Sequence, residues 1–547
     1  MMEETILENG KEPSFIRFYV KEKDGNRLEY GSIQKSVWVN GTCKSETLLW
    51  LGKVLNKEEM IFKSRKNGIY KFTPPDTITP LSTGEIGYFG IPTNTTAQPL
   101  IGKELAEIYE PANCLSFGGV YVASQLLRQS TIADIIMDPF AGVKGLGDCV
   151  MALVLYKLTQ GGASMHIKNW WDETYAKFLY PNINLDSPRI SELLKEIGKE
   201  KYWRIFFENY SEFIKKESPV KGVILDSTGL QNAIQTALSQ ISNHGGKINR
   251  EIRLIVVLDR ISGYPLYFKY VPGNIVDKST LQHIFHEMEA YDFEIASALM
   301  DAGYFNEEDL KFLYDRKVSF VTRFIPNRKI YKKIMANEID DIDDLKYHVK
   351  KDSRFMKIKC IQVNDMLNMQ LYVYVCKDLV EANKGEFHIL NNFDFNKSEF
   401  KEIEEIREKL RRRGIFILLS SIKLPTDKIL HFYYERQDIE QIFDFAKNDV
   451  DLLPLRVHSE ATLRGHFMIV FFSTIAHVYM RRILEKKQFK MSRSAAFEIL
   501  SRHVTIVYDK KNFHLPSIPS PTTRKIYAVF NIEIPKKMLI QQDNKFL

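Results

Sequence analysis

Three carboxylates in this chain have the setting of metal ligands. Asp226 ends the apolar run 222–226, Asp301 ends the apolar run 295–301, and Glu440 lies in a stretch with helical periodicity. Short apolar runs of this kind predict buried strands, and a charge at the end of a buried strand is costly unless something pairs with it. A bound metal ion is one such partner. We therefore take Asp226, Asp301 and Glu440 as candidate catalytic and metal-binding residues.

Carboxylates brought together in this way can hold the metal ions of a phosphodiester-cleaving site. Two divalent ions roughly 3.5–4 Å apart can activate a nucleophile and stabilise the leaving oxygen. Hard oxygen ligands suit Mg²⁺, with Mn²⁺ as a substitute. Two adjacent strands can place two carboxylates side by side, and a helix packed on the sheet can present the third. For either aspartate taken alone, a turn or strand cap is the simpler interpretation, because Asp is common at such positions.

The helix that carries Glu440 is predicted to span 430–447. On a regular helix, residues at offsets of 0, 3, 7 and 14 share one face, and these offsets belong to Tyr433, Arg436, Glu440 and Lys447. Two interpretations stay open. One is a solvated face with ion pairs worth about 0.2–0.5 kcal/mol each. The other is a set of cations that hold phosphates beside the metal site.

The elements that must position these residues begin at 221, where the pattern becomes that of a β-sheet. The predicted strands are 222–226, 253–258, 264–270, 295–301 and 318–324, and the predicted helices are 279–290 and 306–315. This order predicts a mixed sheet with helices on its faces. Ligands of such sheets gather at strand ends, where both aspartates are expected.

The chain is too long for one core, and its pattern predicts a multidomain α/β protein. Residues 13–72 alternate apolar and polar in short pieces, 73–99 contain five prolines, and 101–215 have helical periodicity. The predicted divisions are a β-rich N-terminal module with its linker (1–100), a helical domain (101–218), the first part of the core (219–324), a β-rich insertion (325–420), the second part of the core with the Glu440 helix (421–480) and a basic helical tail (481–547).

Composition argues against several classes of protein. Hydrophobic residues make up 44% and charged residues 27% of the chain, as in an ordinary soluble globular protein. The net charge of +7 indicates a polyanionic partner only weakly. Five scattered cysteines without a Cys-x-x-Cys pair favour neither a zinc ribbon nor a disulfide framework, and they fit a reducing cytosol. The N-terminus lacks the apolar region of a secretory signal, and the longest apolar run, 467–480, predicts a buried helix.

The spacing Tyr433-x2-Arg436-x3-Glu440-x6-Lys447 resembles the Tyr-Arg-Glu-Lys (YREK) signature of a group of insertion-sequence DDE transposases. Four residues at fixed intervals make a specific motif. Further segments that are similar to elements of this family are 226–228, 263–266, 273–277, 301–304 and 464–466. The chain departs from the family at Ala302, where many members carry Arg. The resemblance covers most of the chain and is to the longer-chain branch of the group.

This resemblance implies a fold and a set of site residues. The fold is an RNase H-like mixed-sheet core, interrupted by a β-rich insertion between the second aspartate and the glutamate. Glu440 follows Asp301 by 139 positions, which is enough for such an insertion. The implied metal ligands, for two Mg²⁺ or Mn²⁺ ions, are Asp226, Asp301 and Glu440. The implied DNA contacts are Tyr433, Arg436 and Lys447.

The same resemblance implies a function. The enzyme would cleave DNA at transposon ends in a metal-dependent reaction and then carry out strand transfer, as in cut-and-paste transposition. Its partners would be double-stranded DNA with terminal inverted repeats and target DNA, with the helical domain 101–218 recognising the ends. The protein would act as a homodimer or higher multimer in the bacterial cytoplasm, associated with the nucleoid and not with a membrane. Two alternatives stay open: an RNase H-like two-metal nuclease without strand transfer, and a catalytically silent DNA-binding derivative of a transposase.

Other basic, aromatic and histidine positions also have two interpretations. Candidate phosphate contacts, or else solvated surface charges, are Arg411, Arg412, Arg413, Lys486, Lys487, Lys490 and Arg493. Trp170 and Trp171 are predicted to pack between helices rather than to stack on bases. His458 and His466 are near Glu440 in sequence, but a core or surface position is the expectation for both.

Overall fold

The computed structural model describes most of the chain. The described residues are 4–6, 14–23, 26–39, 42–57, 60–64, 68–73, 77–80, 112–217, 220–232, 234, 236–244, 247–275, 280–304, 306–351, 354–366, 368–391, 400–450, 452–453, 455, 459–508, 513–536 and 538–539. The chain divides into two compact units, Met1–Pro111 and Ala112–Leu547.

In its described residues, the N-terminal unit is a seven-stranded antiparallel sheet in which each strand pairs with the next along the chain. Its strands are β1 (Glu4–Ile6), β2 (Ser14–Lys23), β3 (Asn26–Val39), β4 (Thr42–Asn56), β5 (Ile61–Ser64), β6 (Gly68–Thr73) and β7 (Thr77–Pro80). Alternation of apolar and polar residues gives the sheet one buried face. The core on that face is Ile16, Leu51, Phe62, Tyr70 and Phe72. Most of the proline-containing linker lies outside the described residues.

The larger unit begins with strand β8 (Ala112–Ser116) and continues as a helical segment. Its helices are α1 (Gly118–Gln129), α2 (Ile132–Met137), α3 (Leu146–Thr159), α4 (Ile167–Glu173), α5 (Ala176–Leu179), α6 (Ser187–Ile197) and α7 (Glu200–Glu217). α3 is buried over most of its length. A helix that is apolar on all sides belongs in a core, so α3 forms the centre of this segment.

A ten-stranded mixed sheet is the main sheet of the larger unit. Its strands are β9 (Val223–Gln231), β10 (Gln240–His244), β11 (Lys247–Asp259), β12 (Pro265–Pro272), β13 (Ser297–Met300), β14 (Ser319–Arg323), β15 (His348–Lys351), β16 (Arg354–Met366), β17 (Met369–Asp378) and β18 (Ile415–Ser420). The order is β10-β11-β9-β13-β14-β18-β17-β16-β15, and β12 also pairs with β11. β13 is parallel to β9 and β14. The predicted α/β class with a mixed sheet is confirmed.

Helix α8 (Leu281–Ala290) lies between β12 and β13 along the chain, and helix α9 (Glu307–Asp315) lies between β13 and β14. The stretch 325–420, which the sequence predicts to be an insertion, contains α10 (Lys329–Glu338), α11 (Leu379–Asn391), α12 (Phe400–Arg411) and strands β15–β18. β18 pairs with β14 on one side and with β17 on the other. The strands of this stretch therefore extend the main sheet, and the boundary between core and insertion stays a prediction.

The single helix predicted for 430–447 is wrong. The structure has α13 (Thr426–Tyr434), α14 (Gln437–Asp444) and then a π-helical turn, Phe445–Asp449. At the start of α14, Ile439 N donates to Arg436 O at 3.2 Å, a tighter i→i−3 bond. The apolar spacing that predicted one helix is little changed by such a break, because each piece still buries its own apolar side.

Helix α15 (Glu460–Lys486) is 27 residues long and is capped by Ser459, whose side chain accepts from Thr462 N. It contains the apolar run 467–480, and the buried helix predicted there is confirmed. By length and composition α15 could also cross a membrane, but most of its apolar stretch is buried in the fold, as in a core helix.

The C-terminal region returns to β8. α16 (Arg493–Ser501) is followed by β19 (Val504–Tyr508), β20 (Phe513–Pro516), α17 (Pro521–Val529) and β21 (Met538–Leu539). β19 pairs with β8, with Thr505 opposite Leu115, in a four-stranded sheet. The helical character predicted for the tail is therefore wrong for these strands. A partner almost 400 positions away in the chain supplies the hydrogen bonds that make β19 a strand.

Candidate active site

The two aspartates lie at neighbouring parallel strands, Asp226 within β9 and Asp301 directly after β13. β9 and β13 pair with Leu225 opposite Met300, so Asp226 and Asp301 occupy the next position along each segment. The prediction that Asp226 ends its strand is wrong, because β9 continues to Gln231. Asp301 does follow the last residue of β13. Equivalent positions on parallel neighbours face the same side of a sheet, so the two carboxylates can reach a common partner.

Arg436 is that partner, and it also contacts Glu440. Its Nη1 atom lies 3.1 Å from Asp301 Oδ1 and 3.5 Å from Asp226 Oδ2. Its Nη2 atom lies 3.5 Å from Glu440 Oε1. Glu440 follows Arg436 by four positions, a spacing at which helical side chains meet. The structure therefore brings the three predicted carboxylates around a single guanidinium.

The guanidinium is more enclosed than most of its partners. Arg436 is 19% exposed, Asp226 15%, Asp301 37% and Glu440 56%. Burial alone would lower the pKa of Arg436, but the negative charges of Asp301 and Asp226 outweigh it, and the pKa is raised. One cation faces three carboxylates, which leaves a formal excess of negative charge. Such an excess attracts a divalent cation.

The donor chemistry of this cluster fits magnesium, although its present spacing fits the arginine. Within the described ranges, no three His, Cys, Asp or Glu side chains are close enough together to share a metal ion. Asp226, Asp301 and Glu440 are hard oxygen donors, which suit Mg²⁺ and Mn²⁺. The Arg436 guanidinium lies among these oxygens in this structure.

Lys447 lies against strand β9. Its Nζ atom donates to Thr228 Oγ1 at 2.6 Å. Thr228 follows Asp226 by two positions and so shares its face of the strand. Lys447 is in the π-helical turn, and a wider turn shifts side chains around the helix axis relative to a regular helix. The ammonium group is therefore placed beside Asp226 along β9, and not on one continuous helical face with Glu440.

Tyr433 packs next to the arginine. Its ring centroid lies 5.6 Å from that of Phe416 on β18, with the two planes 30° apart. The Cζ atom of Arg436 lies 5.9 Å from the centroid of Tyr433. The tyrosine is half-buried, so in this arrangement it supports the guanidinium by a cation–π contact and leaves part of its surface open to a ligand.

A second ion pair holds the turn between α13 and α14, and the sequence analysis missed it. Arg260 Nη1 lies 3.5 Å from Glu435 Oε2, and each side chain is 19% exposed. The Cζ atom of Arg260 also lies 4.2 Å from the centroid of Phe432. Arg260 directly follows β11, the neighbour of β9, so this pair ties the turn before Arg436 to the strands of the site. No local spacing could reveal a pair that is 175 positions apart.

The tryptophan prediction is confirmed. Trp170 is buried, and its Nε1 atom donates to Thr159 Oγ1 at 3.1 Å. Trp171 donates from Nε1 to the Tyr180 carbonyl oxygen at 3.1 Å. Both indoles are therefore held by the helical segment itself.

Of the two histidines, His458 lies outside the described residues. The Nε2 atom of His466 is buried. Burial, together with the charge of Lys157, lowers the pKa of His466 to about 4. His466 is therefore neutral at physiological pH, and as a half-buried residue it agrees with the core or surface position expected for it rather than with a place in the site.

The candidate phosphate contacts differ in their surroundings. Arg411 pairs with Asp340, and Arg412 pairs with Glu408. Arg493 is 6% exposed, and its Nη1 atom donates to the Leu158 carbonyl oxygen, so it is a packing residue. The exposed members of the set include Lys486, Lys487 and Lys490.

Comparison with known families gives a match over the region that contains this cluster. Residues 218–476 match the family model described as Transposase DDE domain. The matched region includes Asp226, Asp301 and Glu440, as well as strands β9–β18 and helices α13 and α14.

Three curated proteins of Bacillus thuringiensis are similar to the chain. The transposase for insertion sequence element IS231F (subsp. israelensis) is 23% identical over 282 residues, which cover 47% of this chain and 57% of that protein. The transposase for IS231E (subsp. finitimus) is 23% identical over 306 residues, 52% of this chain and 62% of that protein. The transposase for IS231B (subsp. berliner) is 24% identical over 311 residues, with the same coverage of 52% and 62%. The chain thus spans 57–62% of the length of these relatives.

Among solved structures, the cryo-EM structure of a piggyBac transposase synaptic complex with hairpin DNA is similar at a TM-score of 0.40 and 12% identity, over 70% of this chain and 79% of that chain.

Proposed function

We propose that this chain is a DNA transposase of an insertion sequence, as its DDE-domain match and its curated relatives support. The reaction is metal-dependent cleavage of DNA at the ends of the element, followed by strand transfer into target DNA in a cut-and-paste manner. The observation that carries the proposal is the meeting of Asp226, Asp301 and Glu440 at one guanidinium.

In this proposal the three carboxylates hold two Mg²⁺ ions, which Mn²⁺ can replace. When bound, such ions activate a nucleophile and stabilise the leaving oxygen. The chain contributes the geometry: two parallel strands fix Asp226 and Asp301, and α14 brings in Glu440. A guanidinium can bind a phosphate through two parallel hydrogen bonds, so a DNA phosphate offers Arg436 a second partner in place of the carboxylates.

We assign Tyr433, Arg436, Glu440 and Lys447 to the YREK signature of insertion-sequence transposases. Two contacts support a DNA role for the cations. Arg436 touches all three candidate metal ligands, and Lys447 lies two strand positions from Asp226 through its bond to Thr228. Both are therefore next to the place where a scissile phosphate would bind, with Tyr433 at the edge of the same cluster.

The RNase H-like nature of the core is supported by five strands in the order β12-β11-β9-β13-β14. β11 is antiparallel to both β12 and β9, and β13 and β14 run parallel to β9. Asp226 lies on β9 and Asp301 directly follows β13, the central pair of these strands. We keep the domain division predicted from the sequence, in which 325–420 is an insertion into this core.

The DNA partners in this proposal are the terminal inverted repeats of the element and the target, both double-stranded. The helical segment within 101–218 recognises the ends. The protein acts in the bacterial cytoplasm, associated with the nucleoid, as a homodimer or higher multimer on DNA. The basic balance of the chain, +7, is compatible with a polyanionic partner.

The test is cleavage of DNA that carries the element's own ends by purified protein in Mg²⁺. Asp226→Asn, Asp301→Asn and Glu440→Gln should each abolish cleavage, because each removes a metal ligand, and should retain binding to the ends, because phosphate contacts lie elsewhere. A matched control is Asp340→Asn, which changes an exposed carboxylate paired with Arg411. The control should cleave like the wild type.

The outcomes separate the alternatives. Cleavage together with a joined product supports the transposase. Cleavage without joining, under conditions where target DNA is present, favours the two-metal nuclease. Binding without cleavage by the wild-type protein favours the catalytically silent derivative. Substantial cleavage by any of the three carboxylate variants removes that residue from the metal site.

A further inference from the structure

One face of the N-terminal sheet points away from its core and carries three large aromatic rings. Tyr19 on β2 lies directly opposite Tyr30 on β3, and Trp50 is on the next strand, β4. The Tyr19 and Tyr30 rings stack with centroids 6.0 Å apart. Trp50 meets Tyr19 edge to face at 5.4 Å. Rings this close form one continuous aromatic surface. The side of the sheet that carries them is its outer face.

The rings are not needed for the core of the unit. Side chains alternate between the two faces of a strand, and Ile16 of β2 is in the core. Tyr19 is three positions further and therefore points outward. Trp50 precedes the core residue Leu51 and also points outward, with 56% of its surface exposed. Tyr19 and Tyr30 are half-buried beside it, and a partly exposed aromatic patch of this kind is a candidate ligand surface.

The outer face is also basic. Strand register places on it Arg17, Lys21, Lys53, Lys63 and Lys71. The Nζ atom of Lys21 lies 5.7, 6.0 and 5.9 Å from the centroids of Tyr19, Tyr30 and Trp50. Lys53 stands directly opposite Lys63. Like charges in directly opposite positions destabilise an antiparallel pair, so an anionic ligand would relieve this arrangement.

The described acidic side chains of this unit do not offset these charges. Glu29 is opposite Val20, on the other face of the sheet, where it pairs with Lys57 at 3.1 Å. Glu46 is opposite Lys35, and its neighbour Thr47 is at a position that belongs to the outer face. By strand alternation, Glu46 therefore belongs to the other face. Among the residues that the structure describes, the outer face is therefore aromatic and cationic without a carboxylate.

Rings flanked by cations suit an unpaired DNA strand. Aromatic side chains stack on base faces, and lysine and arginine hold the phosphates that connect them. In a duplex the base faces are covered by their neighbours, so exposed rings can be used only where the strand is unpaired. We propose that the outer face of the N-terminal sheet binds single-stranded DNA, with Tyr19, Tyr30 and Trp50 on the bases and the cations on the phosphates. This role goes beyond the transposase reaction and does not depend on the carboxylate cluster.

The test measures binding of a labelled oligothymidylate to the full chain carrying Asp226→Asn, so that cleavage does not consume the probe. Adding Trp50→Ala should weaken binding roughly 5- to 100-fold, because a stacking partner is lost. Trp50→Phe should retain most of the affinity, since it keeps a ring. Lys21→Gln should lower the salt dependence of binding by about 0.7 in the log–log slope.

Two matched controls separate the outer face from general effects. Phe355→Ala removes an aromatic side chain of the larger unit that is 51% exposed, and Lys57→Gln removes a cation of the N-terminal unit that pairs with Glu29. Both should bind the probe like the parent. Thermal unfolding checks that each variant is folded. If Trp50→Ala fails to fold, Trp50→Phe and Lys21→Gln decide the question.

Unchanged affinity in Trp50→Ala and an unchanged slope in Lys21→Gln would overturn the proposal. So would a duplex of equal length that competes with the single strand on equal terms, because that result indicates phosphate binding without base stacking. Since binding is measured without cleavage, a failure of the transposase assay and a failure of this one are distinguishable.

Discussion

At the scale of single residues, Arg436 organises the candidate site. Its guanidinium contacts Asp226, Asp301 and Glu440 at 3.1–3.5 Å and so partly neutralises carboxylates that would otherwise repel one another. The same contacts make it a competitor of any metal ion for those oxygens. A phosphate that takes over the guanidinium would free them. Binding of metal and binding of DNA are therefore expected to be coupled.

The first residue-level prediction concerns this competition. Arg436→Gln should raise the affinity of DNA-free protein for Mn²⁺ by roughly 10-fold or more, because a competing cation is removed from the cluster. It should also weaken binding to element ends. Calorimetric titration with Mn²⁺ measures the first effect and a DNA-binding assay the second. Arg407→Gln, which changes an exposed arginine paired with Glu404, is the control. Equal Mn²⁺ affinities for Arg436→Gln and wild type would contradict the competition.

The second residue-level prediction concerns Lys447. Lys447→Gln should lower the salt dependence of end-DNA binding by about 0.9, the contribution of one phosphate contact to the slope. Thr228→Val removes the acceptor of Lys447 but leaves the ammonium in place, so it should have a smaller effect on the slope. Lys384→Gln removes an exposed cation elsewhere, which pairs with Glu381, and serves as the control. If the Lys447→Gln variant keeps the salt dependence of the wild type, Lys447 does not contact a phosphate, and its bond to Thr228 is a structural contact only.

At the scale of elements, the crossing of α6 and α15 fixes the helical segment against the long core helix. Gly198 follows α6, and a Cβ atom added there would overlap the Ala461 carbonyl oxygen of α15. A Cβ atom on Gly465 would overlap the Leu194 carbonyl oxygen of α6. Arg464 strengthens the crossing, since its Nη1 atom donates to the Gly198 carbonyl oxygen at 3.1 Å. Only glycine permits backbones to approach this closely.

The element-level prediction follows from this crossing. Gly465→Ala should reduce the free energy of unfolding by about 1–3 kcal/mol, because the added methyl group must push two backbones apart. Chemical denaturation measures the change. Gly142→Ala is the control, since a Cβ atom there meets nothing within 4 Å. If Gly465→Ala is as stable as the wild type, α6 and α15 can move apart to admit the methyl group without a loss in the free energy of unfolding.

At the scale of the whole molecule, the buried helix α15 makes the free energy of unfolding depend on pH. It carries His466, whose pKa is lowered to about 4, and His477, whose pKa is lowered to about 3 by burial and by the charges of Arg493 and Arg481. The His477 ring also stacks on Phe445 of the π-helical turn, with centroids 3.7 Å apart. Both imidazoles therefore stay neutral in the folded protein at pH values at which the same histidines of an unfolded chain begin to bind protons.

The whole-molecule prediction is a loss of stability in mild acid. Between about pH 6.5, the usual pKa of a histidine, and pH 4, the unfolded state binds more protons than the folded state, so stability rises with pH and falls on acidification. Each histidine contributes at most about 1.4 kcal/mol per pH unit in this window. Urea unfolding at several pH values measures the slope. His477→Phe should reduce it, whereas His166→Gln, which changes an exposed histidine, should not. An unchanged slope in His477→Phe would contradict the assignment.

The sequence by itself determined the features that depend on local pattern. Apolar runs and their breaks located the strands around Asp226 and Asp301 and the buried helix at 467–480, because burial of one face leaves a periodic trace in the chain. The fixed spacing of Tyr433, Arg436, Glu440 and Lys447 singled out the region of the candidate site. Local pattern was sufficient in these cases because each depends on residues a few positions apart.

Tertiary structure decided which distant groups meet. Pairing of β9 with β13 places Asp226 beside Asp301. The turn before α14 brings the Arg436 guanidinium into contact with both carboxylates. The π-helical turn placed Lys447 on Thr228. A strand also formed at β19 because β8 was there to pair with it. Hydrogen bonds and ion pairs between segments far apart in the chain leave no periodic trace in either segment, so only the folded molecule reveals them.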